Sequence, residues 1–146
     1  MIRRQALVLL TLVGLFVATY LWLYKIGVLG QLQCGTGSCE LVQASRYAEL
    51  FGLPVALYGV GGYAALFAVG LVGLQPRFAA DRRVARLFAA LATVGFAFTL
   101  YLTGIELFVL HAICRWCVAS AVIITTVWLL SVAGLRATPS GTAPTR

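Results

Sequence analysis

The chain has 146 residues, of which 62% are hydrophobic and only 10% charged, with a formal net charge of +7. A soluble domain carries about 25% charged residues, so this apolar surplus exceeds what one core can bury, and most of the chain must face lipid. The basic residues stand at the ends of apolar runs rather than in one patch, which is the pattern of membrane topology and excludes a nucleic-acid surface.

Four apolar runs reach the roughly 20 residues that a bilayer span needs. The first covers residues 6–24 and follows Arg3 and Arg4. It is longer than a signal-peptide core of about 7–15 residues, and no small-x-small cleavage site follows Tyr24, so it reads as a retained helix. A loop over residues 25–53 comes next. Its first part, 31–37, is polar and glycine-bearing and is expected to be mobile. Its second part, 38–51, has the spacing of a short amphipathic helix. Ser38 is the expected N-cap, Gly52 the stop, and Leu41, Ala44, Ala48 and Phe51 share one face. Such a helix would lie in the membrane interface and roof the mouth of the bundle.

The second span covers 54–74, the third 84–110 with Glu106 inside it, and the fourth 113–135. The expected fold is therefore all-α: a bundle of four transmembrane helices over residues 1–136, with an interfacial helix in the first outer loop. Residues 137–146 contain Pro139, Gly141 and Pro144 and read as a disordered tail. Arg3, Arg4, Arg77, Arg82, Arg83, Arg86, Arg136 and Arg146 fall on one side of this arrangement, and Lys25, Arg46 and Arg115 on the other. The bias puts both termini in the cytoplasm and the loop 25–53 outside, in an inner or plasma membrane.

Four cysteines occur as two pairs, Cys34 with Cys39 and Cys114 with Cys117. The topology places both pairs on the outer side, the oxidising compartment of a bacterium, where disulfide chemistry belongs. One pair stands near water and the other at a lipid boundary, which suits a thiol relay from a soluble partner to a lipid-soluble oxidant. In Cys114-Arg115-Trp116-Cys117 one helical turn separates the sulfurs, and a helix N-terminus with a neighbouring cation favours the thiolate that attacks disulfides. Half of a structural zinc site is the alternative, although Cys34 and Cys39 lack the usual C-x-x-C spacing. The glycines between Cys34 and Cys39 would tether a pair that opens toward a partner, and Cys39 would start the interfacial helix. A plain structural staple is the alternative there.

Glu106 is the only acidic residue inside an apolar run, which calls for a partner or a task. His111, near the outer boundary, is a candidate proton shuttle or a structural interface residue. Trp22, Trp116, Tyr20 and Tyr24 fit interfacial anchoring, and Gly59, Gly61 and Gly62 fit close helix packing.

The sequence resembles the vitamin K epoxide reductase family in its bacterial form. The likeness covers nearly the whole chain. It rests on Cys34 and Cys39, on Gly52-Leu53-Pro54-Val55-Ala56-Leu57-Tyr58-Gly59, on Glu106-Leu107-Phe108 leading into the C-x-x-C motif, and on Ser45 six residues after Cys39. The resemblance implies a four-helix bundle around a quinone. It implies that electrons enter at Cys34 from a thioredoxin-fold protein, that Cys39 exchanges with Cys114, and that Cys117 adjoins the quinone. The partner is expected to be a separate periplasmic or extracytoplasmic oxidase. Two positions tied to vitamin K recognition in animal members depart from the family pattern: Val55 stands for an asparagine and Ala121 for a tyrosine. The departures favour menaquinone or ubiquinone as electron acceptor. With Ser45, Glu106 and His111, these two positions are the expected borders of the quinone pocket.

Overall fold

The computed structural model describes residues 1–137 apart from 33 and 35–37. Four helices are long and apolar enough to cross a membrane. They are α1 (Ile2–Lys25), α3 (Val55–Leu74), α4 (Arg82–Ile105) and α5 (Arg115–Ala137), with α4 continued by one wide π turn over Glu106–Leu110. Inside a bilayer every backbone N–H and C=O must be paired within its own segment, and helices do this without help from water. The chain is therefore a multi-pass membrane protein of all-α class.

Each long helix packs on two others: α1 on α3 and α5, and α4 on α3 and α5. The result is a closed ring, α1–α3–α4–α5, in which neighbours run antiparallel. Ala18, Tyr63, Leu66, Phe88, Ala92, Ile124 and Val127 form the buried middle. Small residues permit this closeness, as is usual where lipid replaces water as solvent. At Gly14 a Cβ would overlap the Tyr63 ring, so the α1–α3 crossing depends on glycine there. The Tyr63 hydroxyl in turn donates to the Ser120 carbonyl at 3.0 Å and joins α3 to α5.

The link between α1 and α3 departs from the single helix expected over 38–51. Helix α2 covers only Cys39–Ala44, a turn of 3-10 helix covers Arg46–Ala48, and a small hairpin follows. Its strands are β1 (Glu49–Leu50) and β2 (Leu53–Pro54), with Glu49 opposite Pro54 and Leu50 opposite Leu53. The helix stops because Ser45 is extended (ψ 155°) and its hydroxyl donates back to the Val42 carbonyl at 2.7 Å. Gly52 is not a helix stop. With Phe51 (φ 53°) and its own φ of 78° it makes the two-residue left-handed turn that suits the twist of a hairpin. Phe51, expected on the apolar face of that helix, stands instead at the hairpin tip, 91% exposed.

Three side-chain bonds fix this link. Tyr58 Oη donates to the Leu50 carbonyl at 2.9 Å. Lys25 Nζ donates to the Gln43 carbonyl at 2.8 Å and lies 3.5 Å from Glu49 Oε1. Ala137 is the last residue of α5 and not the first of a tail. Residues 138–146 and the glycines at 35 and 37 lie outside the described residues.

Candidate functional site

All four cysteines converge at one end of the bundle. Leu21, Leu32, Cys34, Cys39, Val42, Ala112 and Cys114 form one buried cluster, against which Trp116 and Cys117 pack. Cys39 and Cys114 are wholly buried, at 0% exposure. Cys34 and Cys39 are joined as a disulfide, with Cα atoms 6.3 Å apart, while Cys114 and Cys117 are free thiols. Two hydrogen bonds lash the first pair's loop to the second pair's helix. Ser38 N donates to the Ile113 carbonyl at 3.1 Å, and Arg115 Nη1 donates to the Cys34 carbonyl at 3.2 Å.

The second pair is positioned by the way α4 ends and α5 begins. The wide turn closes with Ala112 N donating to the Glu106 carbonyl at 3.1 Å. His111 then takes a left-handed conformation (φ 48°, ψ 35°) that reverses the chain. Val118 N donates to the Cys114 carbonyl at 3.0 Å, so Cys114 occupies the N-cap of α5 and Cys117 lies one turn in.

The turn also explains Glu106, which is 7% exposed. Its Oε2 accepts the Cys114 N–H at 3.2 Å, satisfying a donor that a helix start leaves unpaired. The same carboxyl group meets the Cys117 thiol. Cys117 Sγ also accepts a long bond from Gln43 Nε2, at 3.9 Å. The Cys114 thiol is held below its ordinary range. The cause is first the hydrogen bond from the Cys117 thiol and then the backbone N–H groups of Cys117 and Trp116, while burial and the Glu106 charge oppose the shift.

Behind Cys117 lies a cavity of about 150 Å³. Its walls are mostly apolar: Val55, Ala56 and Gly59 of α3, Phe98 and Leu102 of α4, Ile124 of α5, and Val42 and Ala48 from the link. Ser45, Val55 and Glu106 stand in the wall. The described walls do not include Ala121, which is on α5, or His111, which is exposed on its left-handed turn. Polar wall residues that sequence reasoning passed over include Gln43, Tyr47, Tyr63, Thr99, Thr103 and Ser120. Gln43 did carry a signal, since it follows Cys39 by four residues and so shares its helix face. Tyr63 and Ser120 carried none, because their pairing joins elements 57 positions apart.

Among the described residues, no group of three or more His, Cys, Asp or Glu side chains comes together to hold a metal. The model of the Vitamin K epoxide reductase family matches residues 5–132, from the first turn of α1 to the last turns of α5.

Proposed function

The chain belongs to the vitamin K epoxide reductase family, and from that premise we propose that it is a quinone-dependent thiol oxidase that supports disulfide formation. Membership makes the chain a thiol oxidoreductase. The finer reading rests on one observation: a disulfide pair and a dithiol pair share one buried cluster, and a thiol of the second pair forms the wall of an apolar cavity.

In this reading a thioredoxin-fold partner meets Cys34 and passes two electrons to the Cys34–Cys39 disulfide, leaving the partner oxidised and both cysteines as thiols. The Cys39 thiolate then attacks Cys114 of an oxidised Cys114–Cys117 pair, releasing the Cys117 thiolate. Cys34 attacks Cys39 in the mixed disulfide, which restores Cys34–Cys39 and frees Cys114. The electrons are then held by Cys114 and Cys117 as two thiols, the arrangement seen here. The depressed Cys114 thiol is a good leaving group for the second exchange. Full burial of Cys39 and Cys114 keeps these two sulfurs away from competing soluble thiols, so the chain's main contribution is proximity.

A bound quinone supplies a sink for two electrons and two protons. The walls fit such a group: they are mostly apolar, and a cavity near 150 Å³ is the size that accepts one aromatic ring. Ser45, Val55 and Glu106 would border it, with Cys117 nearest the reacting face. Glu106, already in contact with Cys117, is the group placed to take that thiol's proton. With the arginine-rich end in the cytoplasm, the cysteine end faces the outer compartment.

The test is disulfide trapping in purified protein given reduced thioredoxin-like partner and a soluble quinone. Cys34→Ala should accumulate a Cys39–Cys114 mixed disulfide, and Cys39→Ala and Cys117→Ala should each abolish partner-driven quinone reduction. Full quinone reduction in either of the latter variants would sink the relay and leave Cys34–Cys39 as a structural staple.

A further inference from the structure

Several of the polar groups around the cavity already have partners. Tyr58 Oη donates to the Leu50 carbonyl at 2.9 Å, and Tyr47 Oη accepts from Arg46 Nη2 at 3.1 Å. Thr99 and Thr103 of α4 add two hydroxyls to the wall. Ser45 Oγ donates to the Val42 carbonyl at 2.7 Å. The Tyr63 hydroxyl is bound to Ser120, by its carbonyl and its hydroxyl, each at 3.0 Å. The Glu106 carboxylate accepts the Cys114 N–H and, when ionised, can donate nothing. Val55 carries no donor. Gln43 is different. Its side chain is buried, the residue being 7% exposed, and its amide carries two N–H donors. One of them reaches Cys117 Sγ only at 3.9 Å, a weak bond to a poor acceptor. A buried primary amide with such a partner is costly unless something better accepts from it.

The backbone that carries this amide is held in place. Lys25 at the end of α1 donates to the Gln43 backbone carbonyl at 2.8 Å and lies 3.5 Å from Glu49 on the hairpin, which ties both α2 and the hairpin to α1. An acceptor oxygen brought beside Cys117 therefore arrives beside a preset donor.

Resting on the quinone reading above, we propose that Gln43 is the hydrogen-bond donor that holds the quinone carbonyl nearest Cys117. Gln43 Nε2 exchanges its long bond to sulfur for a bond to the carbonyl oxygen. That bond fixes which carbonyl faces the thiol and draws electron density from the ring as the thiols give up their electrons. Lys25 acts through Gln43 as a positioning residue.

The test compares wild type with Gln43→Leu and Gln43→Asn, each with Cys34–Cys39 intact and a short-chain ubiquinone as probe. Gln43→Leu should weaken binding of the probe and raise its KM by about five- to ten-fold, the loss of roughly one net hydrogen bond. The effect on kcat should be smaller. The carbonyl stretching band of the bound probe, read by difference infrared spectroscopy, should move up toward the free value in Gln43→Leu. Gln43→Asn keeps the amide but withdraws it by one carbon, so it should move the band in the same direction even where Gln43→Leu does not fold. An unchanged band and unchanged binding in both variants, against a wild type that binds the probe, would overturn the assignment of Gln43 and leave the relay standing. A wild type that binds no quinone would overturn both.

Discussion

Glu106 shows what a single carboxylate does inside a span. On insertion scales a charge at the middle of a helix costs about 3 kcal/mol, less toward the interface, and here the Cys114 N–H and the Cys117 thiol offset that cost. Glu106→Leu should destabilise the protein by about 1–3 kcal/mol, because it strands a buried N–H at the start of α5. Glu106→Gln keeps an acceptor and should lie within about 1 kcal/mol of wild type, while slowing quinone reduction by removing the proton acceptor. Thermal unfolding in detergent and single-turnover quinone reduction separate the two effects, and equal stability of Glu106→Leu and wild type would refute the first. Cys114 makes a pH prediction. Its thiol is depressed mainly by the Cys117 thiol, so its thiolate adds stability above the pKa of the unfolded thiol, and that stability is lost as pH falls through the folded value. Cys117→Ala removes the first cause and leaves burial opposing. The midpoint of Cys114 ionisation, followed by thiolate ultraviolet absorbance with Cys34–Cys39 intact, should then move upward. A midpoint that stays or falls would mean that the backbone N–H groups dominate instead.

At the scale of elements, the four spans were legible because apolar runs of that length have one solution in lipid, and each observed helix overlaps its expected run almost residue for residue. The link between α1 and α3 was not. A helical period over Leu41, Ala44, Ala48 and Phe51 competes with local chemistry that period alone does not register. The Ser45 hydroxyl turns back onto α2, Pro54 closes a strand, and Phe51-Gly52 accepts two left-handed residues. The wide turn after Ile105 was invisible for a similar reason. It ends in a left-handed histidine, and histidine is several-fold enriched there among residues other than glycine. That turn makes His111 a test of geometry. Glycine has no Cβ penalty in this conformation, so His111→Gly should be neutral or stabilising by up to about 1 kcal/mol. His111→Ile should cost about 1–2 kcal/mol, because a β-branched residue resists a positive φ. Thermal midpoints of the two variants should fall on opposite sides of wild type. If both fell equally, the imidazole itself and not the backbone would be what the position needs.

The whole molecule is polarised along the bundle axis. Arg3, Arg4, Arg82, Arg83 and Arg136 stand at helix ends opposite the cysteine cluster, and the α3–α4 link at that end adds Arg77. The cysteine end carries Lys25, Arg46 and Arg115, of which Lys25 is engaged with Glu49 and Arg115 with the Cys34 carbonyl. That both cysteine pairs lie at the end away from most of the arginines was thus legible from the order of the spans and their flanking charges. That they share one buried cluster was implied only by the family resemblance, since hydrogen bonds from Ser38 to Ile113 and from Arg115 to Cys34 join segments with no local signal for each other. Charge polarity and relay chemistry make a joint prediction, because a thiol oxidase for exported proteins must present Cys34 to the outer compartment while the arginine-rich loop stays inside. In spheroplasts, a membrane-impermeant maleimide should label a variant with all four native cysteines changed to serine and Phe51→Cys at the exposed hairpin tip. A second variant, with all four native cysteines changed to serine and Gln75→Cys in the α3–α4 link, should be labelled only after the membrane is opened. The reverse pattern would place the cysteines in the reducing compartment and make a disulfide-forming role untenable, whatever the geometry of the site.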